Sequence, residues 1–468
     1  MSAIGSDGLH RTVKLELDEG RARSLLEAQE IAAGYVLQIQ LGTGLQHDPA
    51  AQAALLTAFN TGPRAFLGGV RVQIDEDAVL GCAWARGEGI GAAAKRFGCE
   101  IVSELSEEIP TLIIGDSRSP ARGSINLHVT AESWSGGVVE KPSERLAGHG
   151  NFALAGVLAS ALGVSEAFRH VRGDQEAGRR AVGLSLWRPE LDWRSPEALD
   201  SPPPRFLPSK LWLLGLGHLG QAYAWALGTL PYGDPQAVSV FLQDYDVVVE
   251  ANESTGLLLD AAGIGRTKAR VVAERLEDLG FQTRVVERAF DAYTKRTAKE
   301  PGLALAGFDD PVPRRELEEA NFARIVDAGL GAGVDHYHEI ALHSFPSALR
   351  SQDAFAAAAR SSMRPEQAAY RAMVDERIAA GESEGEAECG VLEVAGRTVG
   401  ASFVGAVAAT LVLAEALRMI SRGPLYQVID LSLRSPQHRE VVRNEAPGTY
   451  VNTGYVTAAD PSDPETEI

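Results

Sequence analysis

The stretch Ser-Lys-Leu-Trp-Leu-Leu-Gly-Leu-Gly-His-Leu-Gly, residues 209–220, decides the fold of this chain. Its apolar start predicts a strand, which leads directly into the pattern Gly215-x-Gly217-x-x-Gly220, and a helical pattern follows over residues 221–230. A strand, a tight turn and a helix in this order leave backbone N–H groups exposed at the helix start, where phosphate oxygens bind. We therefore expect a nucleotide site at this turn.

Two carboxylates stand at the end of the next predicted strand. That strand covers residues 238–243, and Asp244 and Asp246 follow it. A carboxylate at this strand end can hold the ribose hydroxyls of a nucleotide. The rest of the C-terminal half alternates between strand and helix patterns, which predicts an α/β fold with a Rossmann-like, mainly parallel sheet. Further strands are expected near 211–214, 282–287, 323–328, 339–343, 391–395 and 426–431.

Composition narrows the class of protein and its partners. The net charge is −19, with 63 acidic against 44 basic side chains, so nucleic acid and anionic membranes are poor partners. The three cysteines form no CxxC pair, and the first residues lack the pattern of a signal peptide. We therefore expect a cytoplasmic location. Residues 404–417 are the most hydrophobic stretch and predict a buried helix rather than a membrane span.

Proline density marks the main domain boundary. Residues 195–208 contain four prolines between residues 196 and 204 and one more at 208, a composition typical of a stiff linker. We predict an N-terminal α/β domain of unknown role over residues 1–194 and a nucleotide-binding domain over residues 209–443. Residues 444–468 predict a polar tail.

The residues after Asp244 extend the motif. Asn252 comes next, and Gly265-x-x-Lys268 then opens a predicted helix. In this order and spacing the sequence resembles the ThiF/MoeB-type adenylating enzymes, which are relatives of the ubiquitin-activating enzymes. The resemblance covers roughly residues 209–435.

That resemblance implies a reaction, its cofactors and its partners. It implies that ATP and Mg²⁺ are bound and that a carboxylate is adenylated, typically the C-terminus of a ubiquitin-like or sulfur-carrier protein. It also implies a homodimer, although the N-terminal domain could act as an intramolecular partner instead. The residues it assigns to the nucleotide are Gly215, Gly217, Gly220, Asp244, Asn252 and Lys268, with Lys268 catalytic, Cys389 as a possible acyl acceptor and Asp327 as a metal ligand.

Two positions depart from the family pattern. Thr255 stands where the family has an arginine, and Leu330 stands where it has a second magnesium-binding carboxylate. Arg266, Arg270 and Asp335 are candidates to replace these charges. If none does, the chain is a catalytically degenerate relative that senses nucleotide or binds other proteins.

The glycine pattern, Cys389 and the histidines also permit interpretations other than a role in adenylation. A nicotinamide-dependent oxidoreductase is compatible with the glycine pattern alone. Glutamates before Cys389 would raise the pKa of its thiol, which favours a structural cysteine there. His218 could contact a phosphate, and His336-x-His338 could ligate a metal, but hydrogen-bonded or surface histidines are the more common outcome of such patterns.

Overall fold

The structure is a computed structural model, and it describes residues 9–117, 120, 122–148, 151–356, 368–379, 381–385, 387, 391, 399–445 and 453–459. We refer to residues 9–194 as the N-terminal half and to residues 195–459 as the C-terminal half. The helices of the N-terminal half are α1 (Arg11–Asp18), α2 (Leu25–Ala33), α3 (Pro49–Ala65), α4 (Ile90–Arg96) and α5 (Ala153–Val171). Its strands are β1 (Leu37–Leu41), β2 (Val70–Ile74), β3 (Glu100–Ile101), β4 (Thr111–Ile114), β5 (Asn126–Glu132), β6 (Ser135–Val139) and β7 (Val182–Ser185).

The C-terminal half continues the alternation of helices and strands. Its helices are α6 (Pro196–Leu199), α7 (His218–Gly228), α8 (Lys268–Glu277), α9 (Pro311–Arg315), α10 (Ser351–Ala354), α11 (Ala368–Ala379) and α12 (Ser402–Ile420). Its strands are β8 (Phe206–Pro208), β9 (Lys210–Leu214), β10 (Ser239–Gln243), β11 (Gln282–Val286), β12 (Leu303–Ala306), β13 (Arg324–Leu330), β14 (Glu339–Phe345), β15 (Tyr426–Ser432), β16 (Arg439–Arg443) and β17 (Tyr455–Thr457).

The two halves have the same sheet topology. The N-terminal sheet has the order β3-β2-β1-β4-β5-β6-β7, and the C-terminal sheet repeats it as β11-β10-β9-β12-β13-β14-β15 with β16 added at the edge. In each sheet the first five strands in this order are parallel and the following ones antiparallel. The predicted Rossmann-like α/β fold with a second α/β domain before it is confirmed, and the chain is an internal duplication.

The duplication extends to side chains of the long helices α5 and α12. Each helix has 19 residues and, along the chain, connects the sixth strand of its half to the seventh. Six of these positions carry the same residue in both helices, and they include Gly156 and Gly405, Glu166 and Glu415, and Arg169 and Arg418. In each helix the glutamate and the arginine form a buried ion pair.

Helix α12 lies in the interior of the protein. Among the helices in the described residues it is the one long and apolar enough to cross a membrane, and 94% of its apolar window is buried. It packs against α5 and α7, and burial within the protein accounts for its apolar sequence. The prediction of a buried helix over residues 404–417 is confirmed.

The halves pack against each other over a shared core. One cluster of buried apolar side chains includes residues of both halves. Phe168 of α5 packs against Phe403 of α12, with ring centroids 5.5 Å apart. Trp84 stacks on Trp225 of α7, and its indole N–H donates to the Trp225 carbonyl at 2.8 Å. The N-terminal half is therefore an intramolecular partner of the C-terminal half.

The predicted linker and tail contain regular structure. Residues 195–208 include helix α6 and strand β8, and β8 pairs with β17 from the predicted polar tail. Ser195 caps α6, and proline fits its first turn because that position needs no N–H donor. Pro196 lies in the first turn of the helix and Pro208 ends the strand, whereas the other three prolines lie in the irregular segment between these elements. The strand predicted near 391–395 lies outside the described residues except for residue 391.

Candidate nucleotide site

The glycine loop forms the tight turn that the sequence predicts. Gly215 has a φ of 77°, and a Cβ on Gly220 would lie 1.9 Å from the Gly215 carbonyl oxygen. These two glycines are thus required by the turn itself. A Cβ on Gly217 would meet nothing within 4 Å. The first turn of α7 therefore begins beside open space, as a phosphate-binding helix start requires.

Asp244 fastens the glycine loop to the end of β10. One carboxylate oxygen accepts from the Leu216 N–H at 2.6 Å, and the other accepts from the Asp246 N–H at 2.8 Å. Burial raises the pKa of this carboxyl group, and the nearby Lys268 ammonium opposes that shift. Because a carboxylate offers about four acceptor positions, Asp244 can hold the loop and still accept from a ribose hydroxyl.

Lys268 lies at the start of helix α8, on the same side of the sheet. Its ammonium group bonds the Asp246 carboxylate at 2.7 Å, and its backbone N–H donates to the Asp246 carbonyl. The Lys268 side chain is 11% exposed. Asp246 therefore provides the counter-charge of the Lys268 ammonium group.

Asn252 stabilises its own turn. Its side-chain oxygen accepts from the Val249 N–H at 3.0 Å, and its carbonyl accepts from the N–H groups of Thr255 and Gly256. The assigned residues Gly217, Asp244 and Lys268 come together at the carboxyl ends of β9 and β10. The described contacts of Asn252 are to the backbone of the loop at residues 249–256.

The positive charge missing at Thr255 is not replaced by the residues that we predicted. Arg266 pairs with Glu274 and Arg270 with Glu287, all on the surface. Asp335 is exposed. A different cation, Arg64 from helix α3 of the N-terminal half, donates to the carbonyls of Glu253 and Leu259.

Asp327 does not fit a metal ligand. Its carboxylate is fully buried and accepts from the Arg314 guanidinium through Nε, at 3.1 Å to both oxygens, and through Nη2. A resident cation thus already neutralises it. Within the ranges that the structure describes, no group of three or more His, Cys, Asp or Glu side chains could hold a metal ion.

His218 lies between two helices rather than in the open space of the loop. Its ring is buried against α12, where a Cβ on Gly405 would lie 2.4 Å from Nε2. Burial lowers the pKa of His218 to about 4. His336 pairs with Glu339 on the surface and His338 is buried. Cys389 lies outside the described residues.

The N-terminal half contains a second copy of the same turn, and its helix start is capped by a side chain of its own. Gly42 and Gly44 follow β1 as Gly215 and Gly217 follow β9, but a Cβ on Gly42 would lie 2.3 Å from the Asp116 backbone, and Thr43 bridges to Asp116. The Asp48 carboxylate caps α3 by accepting from the Ala51 N–H at 2.8 Å. An anion already occupies this helix start.

The second strand of the N-terminal half also keeps the acidic pair of the motif. Asp75 and Asp77 follow β2 as Asp244 and Asp246 follow β10. Helix α4, however, begins with Ile90 where α8 begins with Lys268. The copy in the N-terminal half therefore lacks the cation of the site, and its helix start is capped by Asp48.

The fold and the site define a duplicated Rossmann-like protein whose C-terminal half has a glycine turn with Asp244 and Lys268 beside it. Residues 207–423 match the BilD C-terminal domain, and residues 36–186 match the BilD N-terminal domain. The chain is 38% identical over 443 residues to the bacterial E1-like protein BilD of Collimonas sp. (strain OK412), covering 94% of each chain. The chain belongs to the BilD family, which refines the predicted ThiF/MoeB resemblance.

Solved structures similar to this chain include two E. coli proteins. MccB aligns with 12% identity and a TM-score of 0.34, over 70% of this chain and 95% of that one. The tRNA N6-threonylcarbamoyladenosine dehydratase TcdA, in complex with AMP, aligns with 19% identity and a TM-score of 0.30, over 46% of this chain and 86% of that one.

Proposed function

We propose that this protein adenylates a carboxylate with ATP. The observation that carries the proposal is the contrast between the two copies of the turn. The helix start beside Gly217 in the C-terminal half has no side-chain cap and has Asp244 and Lys268 at its rim, whereas the helix start in the N-terminal half is capped by its own Asp48 and has no lysine at the equivalent position. The name of its relative, an E1-like protein, supports the same reaction class.

The chemistry follows from these positions. Backbone N–H groups at the start of α7 would bind phosphate oxygens, and Asp244 would accept from the ribose. A carboxylate oxygen of the substrate then attacks the α-phosphorus, the bond from this phosphorus to the bridging oxygen breaks, and pyrophosphate leaves. Lys268 would exchange Asp246 for the phosphates and stabilise the negative charge that builds up on them.

The protein substrate and the assembly are also part of the proposal. We propose the C-terminal carboxylate of a ubiquitin-like or sulfur-carrier protein as the group that is adenylated. The packing of the two halves supports an intramolecular partner for the site, with one nucleotide per chain. Homodimer formation and the cytoplasmic location stay predictions.

Mg²⁺ enters the proposal only as the ion that accompanies ATP on its phosphate oxygens. The pairing of Asp327 with Arg314 speaks against that carboxylate as its ligand, and we assign no other residue to the ion. The role of Cys389 as an acyl acceptor also stays a prediction.

Calorimetry with ATP and Mg²⁺ tests the site. We expect one nucleotide per wild-type chain and at least tenfold weaker binding for Lys268→Ala, because a buried charge-assisted contact is lost. Lys95→Ala is the matched control, since Lys95 lies exposed on α4, the counterpart of α8 in the N-terminal half. Equal binding by wild type and Lys268→Ala would remove Lys268 from the site.

Pyrophosphate exchange tests the reaction. We expect exchange of labelled pyrophosphate into ATP with a ubiquitin-like protein that has a free C-terminal carboxylate, and none after its C-terminal residues are removed. If ATP binds but no tested carrier supports exchange, the degenerate-relative interpretation is favoured. Thr255 and Leu330 motivate that alternative, and Thr255→Arg combined with Leu330→Asp should then create exchange that the parent lacks.

A further inference from the structure

Side chains of the N-terminal half form hydrogen bonds with a loop of the C-terminal half. This loop covers residues 253–259, and we call it the 253–259 loop. Arg64, in the last turn of α3, donates to the carbonyls of Glu253 and Leu259, the latter at 3.0 Å. Asn60, one turn earlier, donates its amide N–H to the Leu257 carbonyl at 2.9 Å, and its oxygen accepts from Arg64 Nε at 3.1 Å. Two side chains of one helix thus hold three carbonyls of this loop.

The opposite side of the same loop is tied to the glycine loop. The buried Gln221 of α7 accepts from the Leu258 N–H at 3.2 Å and donates to the Leu216 carbonyl at 3.0 Å. Leu216 is the central residue of the glycine loop, and its N–H is the one that Asp244 holds. A continuous path of hydrogen bonds therefore runs from α3 through the 253–259 loop and Gln221 to the peptide beside Gly217.

We propose that Asn60 and Arg64 are positioning residues, through which the N-terminal half sets the geometry of the nucleotide site in the C-terminal half. This inference rests on the proposed function for its effect on ATP, but the path of contacts is independent of that function. The 253–259 loop contains Thr255, where the resembling family has an arginine. Here a guanidinium acts from the other half of the chain and grips the loop backbone.

The chemistry of Arg64 suits a positioning role. Its guanidinium spans two carbonyls that a single ammonium group cannot reach together. Burial lowers the pKa of Arg64 to about 10, while Glu253 and Asp260 oppose that shift, so the side chain is charged at neutral pH. Its place in the last turn of α3 puts this charge at the negative end of the helix dipole.

Hydrogen exchange on the full chain without nucleotide tests the path. In Arg64→Ala we expect the amides of Leu258 and Leu216 to exchange at least about tenfold faster than in wild type, because the loop loses two anchored carbonyls. Arg64→Lys keeps the charge but not the span, so its exchange should resemble that of Arg64→Ala. Unchanged protection of both amides in Arg64→Ala would overturn the proposal.

Arg172→Ala is the matched control. Arg172 is also a buried arginine between the halves, and it contacts Glu16, Glu19 and the Tyr337 hydroxyl. None of these three partners of Arg172 belongs to the 253–259 loop. We expect a similar loss of thermal stability in Arg172→Ala and Arg64→Ala, but loop protection should fall only in Arg64→Ala. Equal loss of loop protection in both variants would mean that the halves act by general stability alone.

Nucleotide binding provides the second readout. We expect ATP to bind about tenfold more weakly to Arg64→Ala and to Asn60→Ala than to wild type, and with wild-type affinity to Arg172→Ala. Wild-type binding to folded Arg64→Ala would overturn the positioning role while leaving the proposed function intact. If wild type itself binds no ATP, the proposed function fails, and hydrogen exchange still decides whether α3 positions the glycine loop.

Discussion

Two alanine substitutions in one turn should separate nucleotide binding from folding. A methyl group on Gly217 meets nothing within 4 Å, so Gly217→Ala should leave the fold intact, within about 0.5 kcal/mol of wild type. The same methyl group enters the space where phosphate oxygens would approach the start of α7. Displacing one charge-assisted N–H contact costs about 1.5–3 kcal/mol, so ATP affinity should fall about 10- to 100-fold.

Gly220→Ala should behave in the opposite way. Its Cβ would lie 1.9 Å from the Gly215 carbonyl oxygen, and no side-chain rotation relieves a clash with backbone. Overpacking of this kind costs about 1–3 kcal/mol, and a backbone clash should reach the upper end. Thermal unfolding and calorimetry with ATP on both variants make the comparison. Wild-type ATP affinity in folded Gly217→Ala would refute the placement of the phosphates, and wild-type stability of Gly220→Ala would refute the close packing.

Three further substitutions test the charges of the C-terminal half. Asp327→Asn should destabilise the fold by about 3 kcal/mol, because it leaves the Arg314 guanidinium without its counter-charge. It should not change the Mg²⁺ dependence of ATP binding. A changed Mg²⁺ dependence in a folded Asp327→Asn variant would show that Asp327 is a ligand of the ion. Glu415→Gln should cost about 3–5 kcal/mol in thermal or urea unfolding, since Arg324 and a second arginine lose their buried partner; a cost below 1 kcal/mol would contradict this. Burial holds the pKa of His218 at about 4 against an ordinary 6.5, so the unfolded chain takes up this proton first. The contribution of His218 to stability should therefore fall by about 3 kcal/mol as pH drops from 6.5 to 4. His218→Asn should flatten this part of the melting temperature plotted against pH, and an unchanged profile would show that His218 does not titrate in this range.

The C-terminal half could be predicted because its signals are local. The strand, the glycine turn and the helix start all lie within residues 209–230, and the acidic pair follows the next strand directly. Each of these features depends on the backbone conformation of a few consecutive residues, and local sequence patterns predict that conformation. Lys268 was assigned to the same site through the family resemblance, and it lies at the start of the helix that follows β10.

The duplication went unpredicted for a physical reason. Strand β1 contains the buried polar residues Gln38 and Gln40, and α3 is buried on nearly all sides, so neither shows the periodicity of its element. The signal that was available is the shared glycine, glutamate and arginine pattern of α5 and α12. Both helices have this pattern because each packs closely against its neighbours at the glycine and neutralises its buried glutamate with the arginine.

The role of Arg64 could not be read from sequence at all. It lies 189 positions from Glu253, whose carbonyl it holds. Residue spacing predicts contacts within a helix or across a turn, but not contacts between residues that are far apart in the chain. The candidates that we named, Arg266 and Arg270, are close to Thr255 in sequence, yet their local glutamates already pair with them.

The asymmetry between the two copies has an electrostatic consequence. Helices α3 and α7 are counterparts in the duplication, and only α7 presents an uncapped N-terminus, which is positive, to an open site. The N-terminus of helix α3 is capped by Asp48, and the last turn of this helix places Arg64 against the 253–259 loop. In a chain with a net charge of −19, a polyanionic nucleotide needs local positive potential to bind. The capped copy thus contributes to the other copy by holding the 253–259 loop with Arg64, and for this reason Arg64→Ala, which leaves the rest of the N-terminal half in place, should be enough to weaken ATP binding.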